Sequence, residues 1–293
     1  MYHRRKILLS LIDAFGGSLN NTDCQKIIFL FCQRTGTNYY DFFPYQYGGF
    51  SHVLYEDKRY LIKQGYLQEQ DKFKLSNKPS LHGVSQKERN ALHEIKSEVG
   101  AIRGDKLVEK IYYEFPYYAS RSKIALDIFS EKEWEKIKRQ WETDDSFCLF
   151  TIGYEGISID SYLNKLIKNN VKSLIDVRNN PYSRKFGFSQ SKLKPYVKAL
   201  GIEYAHLPEL GVPSKLRKNL NDPDAYPKLF EFYKKNILPE QSKAVDKIRD
   251  LVKEYKRVAL TCFEADPSQC HRHLITEHLK CQTDFLHPIV HLN

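Results

Sequence analysis

Residues 257–279 read RVALTCFEADPSQCHRHLITEHL, and the fold is decided by how this stretch is parsed. Val258 to Phe263 is a short apolar run, partly β-branched, of the kind that lies inside a parallel sheet with both faces covered. Asp266 and Pro267 then fit N-cap and N1 of a helix. The cap carboxylate takes orphan amides, and proline gives up an amide that has no partner at that position. So parsed, the helix begins one turn before Cys270, and Cys270, His271 and Arg272 fall near its positive end. There free amides and the helix dipole favour an anion or a thiolate over its neutral form.

Outward from this stretch the same alternation runs back to Phe147. Apolar runs at Cys148 to Ile152, Ser173 to Val177, Ile202 to Leu207, Val258 to Phe263 and Phe285 to Val290 are separated by helical stretches. Strand and helix in alternation predict an α/β fold over residues 146–293 with a doubly wound parallel sheet. In such sheets the loops beyond the carboxyl ends of the strands gather on one edge, where ligands bind. The first run delivers Gly153, Tyr154, Glu155 and Gly156 to that edge, and the second delivers Asp176, Arg178, Ser183 and Arg184. His206, Glu209 and Gly211 follow the third run, and Cys262, Glu264, Asp266, Cys270, His271 and Arg272 follow the fourth.

The N-terminal part has another pattern. His3 to Phe15 predicts an amphipathic helix closed by Gly16 and Gly17. Thr22 with Gln25 fits a capping box opening a second helix, whose wide apolar face holds Ile27, Ile28, Leu30 and Phe31. Ser51 is placed to cap a third helix ending near Gly65, and residues 66–76, YLQEQDKFKLS, suit a small hairpin. Helix, helix, helix, hairpin is the order of a winged-helix-like domain, here residues 1–80, mainly helical. Its third helix would read a groove through His52, Lys58, Arg59 and Lys63. Glu56 and Asp57 stand beside these cations, so a scaffold for protein contact is the competing reading. Residues 81–145 read as a helical connector, with capping boxes at Ser85/Glu88 and Ser130/Glu133, a break at Pro116 and a polar boundary at 143–145.

With 293 residues, 41% of them hydrophobic, the chain can bury a substantial core in two domains. Its net charge of +10 favours an anionic partner, and residues 151–293 hold most of it, 23 Lys+Arg against 16 Asp+Glu. A nucleotide or nucleic acid is the expected partner, with a protein partner as the alternative for the N-terminal domain. No run is apolar enough to span a bilayer, so no membrane role is expected. Six unevenly spaced cysteines fit a reducing cytoplasm better than a disulfide scaffold, and Cys24, Cys32, Cys148 and Cys281 read as small core hydrophobes.

Three readings of the edge stay open. Cys270 can act as a nucleophile or thiol acid beside Arg272, with Asp176, His271 or Glu264 moving protons. Cys262, Cys270 and a histidine, His271 or His273, can bind a transition metal, although the eight-residue step between the cysteines is not a zinc-knuckle spacing. Alternatively both cysteines are packing residues. Arg178, Arg184 and Arg272, with Tyr154, suit a phosphate or carboxylate, because guanidinium offers paired donors in a fixed fork. An Asp176–Arg178 internal ion pair weighs evenly against a site role for those two. The sequence names no cofactor.

Two resemblances bear on these readings. Residues 45–67, YQYGGFSHVLYEDKRYLIKQGYL, resemble the Panacea-type antitoxin domain of phage-associated proteins, with its aromatic-Gly-x-Phe-Ser turn before a helix and a Gly-bounded end. This adds phage defence as a setting. Residues 148–290 are similar to the domain-of-unknown-function 488 family. The matching motifs are Thr-Ile-Gly at 151–153, Asp-Val-Arg-x-x-Pro-x-Ser-Arg at 176–184, Tyr-x-His-x-Pro-Glu-Leu-Gly at 204–211 and Cys-x-Glu-x-x-Pro-x-x-Cys-His-Arg at 262–272. The resemblance implies a Rossmann-like domain whose polar motifs share one site. The chain departs from the family after Glu-Leu-Gly: Val212, Pro213 and Ser214 replace a glycine and an arginine, and basic residues return only at Lys215 and Arg217. The clustered ionisable residues on the sheet edge favour an enzyme on a nucleotide or nucleic-acid-linked anionic substrate. Its alternative is a regulator that senses a small anion without turnover.

Overall fold

A computed structural model describes residues 1–76, 83–139, 144–216 and 225–292. Two compact units divide the chain, Met1–Glu142 and Thr143–Asn293. Arg217 and Thr143, named above, lie outside the described residues.

In the first unit, α1 (His3–Ala14), α2 (Asn21–Thr35) and α3 (His52–Lys63) alternate with short strands. β1 (Ser18–Leu19) pairs antiparallel with β4 (Phe73–Lys74), and β2 (Phe43–Tyr45) pairs with β3 (Gly48–Phe50). Residues 66–76 contribute an antiparallel bridge, Leu67 to Leu75, while β4 itself turns to β1. One sequence expectation needs correction here. The cap of α2 is Asn20, whose side chain accepts from the Asp23 amide, and Gln25 is spent on the backbone of Ser51. Hairpin β2–β3 precedes α3, and its turn needs Gly48, at φ +93° with Tyr112 where a Cβ would lie.

Ser51 caps α3 as its position predicts, and both downstream capping boxes form at the starts of α4 (Gln86–Val99) and α7 (Glu131–Lys138). Between them lie α5 (Asp105–Glu114), ended by Pro116, and the short α6 (Ala125–Ile128). Leu92, Ile95, Leu107, Ile111, Phe129 and Trp134 from these helices share one core with α1 and α2. At its side, fully buried Asp57 accepts hydrogen bonds from Arg4 Nε at 2.6 Å, Arg5 Nε at 2.6 Å and Tyr40 Oη at 3.0 Å.

The second unit holds five parallel strands in the order β7-β6-β8-β5-β9. They are β5 (Cys148–Gly153), β6 (Ser173–Asp176), β7 (Glu203–His206), β8 (Arg257–Cys262) and β9 (Ile289–Leu292). The last starts after Pro288, later than the apolar run 285–290 suggests, because proline cannot donate to a ladder. α11 (Ser242–Tyr255) and α12 (Arg272–Lys280) pack on the face that carries Leu149, Ile175, Val258, Leu260 and Cys262. Tyr162 of α8 (Ile159–Lys168) reaches Thr261 of β8, whose side chain alternates away from that face. Helices thus cover both faces of an all-parallel sheet. No described helix is long and apolar enough to cross a membrane.

Replacing Asp57 with Ala leaves two arginines and a tyrosine around an empty carboxylate position. Breaking a buried pair of this kind costs about 3–5 kcal/mol, so the denaturant midpoint of the first unit is expected to fall steeply. An unchanged midpoint would show that Asp57 carries no such load.

Candidate functional site

The order of the strands determines where a site can form. From β6 the chain moves to β7 on one side, while from β8 it moves past β5 to β9 on the other, so neighbouring strands β6 and β8 send their loops apart. The space beyond such a pair of carboxyl ends is where doubly wound sheets hold ligands.

The segment after β8 folds back over the end of β5. A Cβ on Gly153 would lie 1.8 Å from the Glu264 carbonyl oxygen, so only glycine permits the approach. Tyr154 and Glu155 donate their amides to Phe263 O at 3.0 and 2.9 Å, and Glu155 Oε2 accepts from the Ala265 amide. From behind, fully buried Arg272 donates to the carbonyls of Glu264 and Ala265 and to Thr151 Oγ1. Gly153 therefore admits the protein's own backbone.

The helix after this segment starts later than expected. Asp266 and Pro267 do open a turn, with Asp266 accepting from Ser268, but it is a 3-10 turn that stops at Gln269. Cys270 is extended, at φ −131° and ψ 135°, and α12 begins at Arg272. Cys270 is therefore outside the helix and only 1% exposed. Burial, with Cys262 alongside, pushes its thiol well above the ordinary range. The dipole-activated thiolate drawn from the sequence is corrected, because Cys270 precedes the helix and is buried.

What the structure brings together is a cluster. Cys262 Sγ, Cys270 Sγ and His271 Nδ1 all lie within 4.8 Å of one another, and all three residues are buried. His271 Nε2 lies 3.1 Å from Val177 O, a partner that can only accept, so Nε2 carries a proton and Nδ1 is the ring nitrogen that faces the sulfurs. Cys262 donates to Glu264 Oε2 at 3.3 Å. Burial alone would raise the Glu264 carboxyl, but hydrogen bonding to Cys270 and Cys262 and the nearby His271 hold it below the usual carboxylate range. Glu264 is half-buried and is the member of the cluster that reaches solvent. His273 does not join: its Nδ1 contacts Cys270 O at 2.6 Å and its ring packs on Phe230. Tyr233, which no motif singled out, is buried beside the His271 ring at 5.6 Å and donates to Leu210 O.

The anion-binding residues sort differently. Arg178 and Asp176 form a buried ion pair, Nη2 to Oδ2 at 2.5 Å and Nε to Oδ1 at 2.8 Å. Arg178 also donates to Tyr154 Oη and Phe188 O, both at 2.9 Å, and Tyr204 donates to Asp176 Oδ2 at 2.6 Å. Burial opposes the charge on Arg178, yet its carboxylate partner raises its pKa. Asp176, Arg178, Tyr154 and Arg272 are thus engaged internally, and of the two readings of Asp176 and Arg178 the structure shows the internal ion pair. Arg184 alone among the three arginines is exposed.

On α3, Lys58 turns inward to Asn21 Oδ1 and the Phe73 ring, and His52 sits among Phe43 and Phe50, its pKa lowered to about 4 by burial. Arg59, paired with Glu56, and Lys63 are exposed. Of the cysteines expected in the core, Cys281 is exposed instead.

The second unit is, by class, a parallel α/β domain with a thiol- and imidazole-bearing carboxyl edge. More particularly, the family model described as "Domain of unknown function DUF488" matches residues 158–279, so the resemblance carried by the motifs holds for this half of the chain. No curated protein and no solved structure matches the chain.

Two outcomes check this geometry. With limiting iodoacetamide, peptide mass spectrometry is expected to find Cys281 alkylated first and Cys262 and Cys270 among the slowest; early labelling of Cys270 would contradict its burial. Gly153→Ala is expected to destabilise the second unit by about 1–3 kcal/mol, the usual cost of overpacking, and to speed labelling of Cys262 and Cys270 as the 264–265 segment is displaced.

Proposed function

We propose that the second unit is an enzyme acting on a nucleotide or nucleic-acid-linked anionic substrate, with Cys262, Glu264, Cys270 and His271 as its reacting centre. The observation that carries this reading is the convergence of two thiols, an imidazole and a carboxylate beyond the diverging ends of β6 and β8. A packing role needs none of these polar groups, and ionisable clusters at a sheet edge are where chemistry concentrates. Glu264 meets the substrate first, because it is the member of the cluster that reaches solvent.

Support for the anionic class comes from the rim. Arg184 lies in the loop after β6, and Lys192 and Lys194 stand exposed in the opening turns of α9 (Gln190–Lys198), which has no acidic residue in its first turn. Cations at a helix's positive end repel it, and an anionic ligand relieves that repulsion. Exposed Arg59 and Lys63 offer the first unit a smaller basic surface on the same class of partner.

The test is to screen the full chain against nucleotides and short single-stranded oligonucleotides, reading melting temperature for binding and chromatography with mass spectrometry for conversion. At least one compound is expected to bind and be converted. Glu264→Gln should slow that conversion by about 100-fold or more, and Arg184→Ala should raise KM. A screen with no ligand, or turnover untouched by Glu264→Gln, would refute the reading.

A further inference from the structure

We propose that Cys262 Sγ, Cys270 Sγ and His271 Nδ1 bind one divalent metal ion of the zinc class, with Glu264 beside its remaining coordination position. The binding rests on ligand geometry; only the ion's use in a reaction rests on the reading above.

Distances carry the first step. His271 Nδ1 lies 3.8 Å from Cys262 Sγ and 3.9 Å from Cys270 Sγ. A tetrahedral zinc ion with ligand distances of about 2.3 Å to sulfur and about 2.0 Å to nitrogen sets its S and N ligands roughly 3.6 Å apart. Both nitrogen-to-sulfur distances therefore lie within a few tenths of an ångström of that value, and the two sulfurs themselves lie within 4.8 Å of each other. Soft thiolates with an imidazole are also the donor types that select zinc over magnesium or calcium.

The second step is preorganisation. A metal-binding histidine characteristically donates its other ring N–H to a carbonyl or carboxylate, which fixes the ring and aims the free lone pair at the ion. His271 has this arrangement, with Nε2 on Val177 O and Nδ1 toward both sulfurs. Each ligand sits on a rigid support: Cys262 ends a central strand, and Cys270 and His271 lead directly into α12. The 3-10 turn Pro267–Gln269 takes up the chain between them, so donors that are distant in sequence meet in space.

Burial supplies the third step. One free thiolate in this apolar setting is unfavourable, whereas two thiolates on a divalent cation form a neutral unit that suits the core. Three protein ligands also leave one position for water or substrate, the pattern of catalytic rather than structural zinc sites. Half-buried Glu264, in contact with Cys262, is the member of this group nearest solvent.

The full chain, purified under reducing conditions without chelator, is expected to carry close to one equivalent of zinc-class metal. After chelation, titration with Co2+ should develop a sulfur-to-cobalt charge-transfer absorption that saturates at one ion per chain and disappears on adding Zn2+. Cys270→Ser and His271→Ala should each weaken Co2+ binding by more than about 100-fold, beyond the roughly 10–100-fold that losing an outer-shell partner costs. His273→Ala should leave it unchanged, and circular dichroism establishes that each variant is folded. The proposal is overturned if folded, metal-free wild type gives no sulfur-to-cobalt band at saturating Co2+, if Cys270→Ser keeps the band at full affinity, or if His273→Ala removes it. Metal bound without turnover of any compound in the screen would refute the enzyme reading and leave the metal site standing, and turnover without the band would do the reverse.

Discussion

A guanidinium in the core holds the site's backbone. Arg272 is fully buried, and its donors reach two successive carbonyls, Glu264 O and Ala265 O, together with the Thr151 hydroxyl. No carboxylate lies at ion-pair distance from it among the described residues, and carbonyl dipoles, with Asp266 acting at longer range, offset the desolvation of its charge. A lysine could not replace it here, because one ammonium lacks the planar fork that meets two neighbouring carbonyls at once. The other half of this closure is the missing side chain of Gly153, which lets the Glu264 carbonyl come down on β5. Once that segment is fixed, Glu264 has one place to stand, and the chain re-enters α12 at the angle that buries Cys270.

The same economy explains why polar residues that sequence reasoning assigns to a ligand turn out to hold the protein. Asp57 in the first unit gathers two arginines and a tyrosine around one buried carboxylate, and Asp176 in the second gathers one of each. Such pairs contribute little net stability against an apolar replacement, because desolvation cancels most of their attraction. Their value is positional. Arg178 spans from Asp176 to Tyr154 Oη and Phe188 O, joining the ends of β6 and β5 to the loop before α9.

Much of the second unit's fold was legible because its strands are buried on both faces and read as apolar runs. The starts of α3, α4 and α7 were legible because a serine cap leaves a local signature. What the sequence hid were choices made by tertiary partners. Asn20 rather than Thr22 caps α2, since Gln25 is drawn away to Ser51. Lys58 looks like a groove reader on a helical wheel, yet Asn21 and Phe73 lie on its side of α3. Asp266 and Pro267 signal a helix start correctly, but the turn they open closes after one repeat and a second start follows at Arg272. The edge itself was recoverable from the four motifs. Which of its histidines faces the cysteines was not, because the deciding partners, Val177 O for His271 and Cys270 O for His273, are backbone atoms.

Val177 connects these two levels. It follows Asp176 and precedes Arg178, so the buried ion pair fixes the peptide that carries its carbonyl. That carbonyl takes the Nε2 proton of His271 and so decides which ring nitrogen faces the two sulfurs. His206 contacts the next carbonyl, Arg178 O, at 2.8 Å and holds the same loop from β7. Asp176 therefore bears on the cluster without touching it, through the orientation of one imidazole. The Asp-Val-Arg motif and the Cys-His-Arg motif, some 90 residues apart in the chain, act as one device: the first motif's ion pair sets a carbonyl, the carbonyl sets the histidine, and the second motif's arginine sets the loop from which Glu264 faces the same sulfurs.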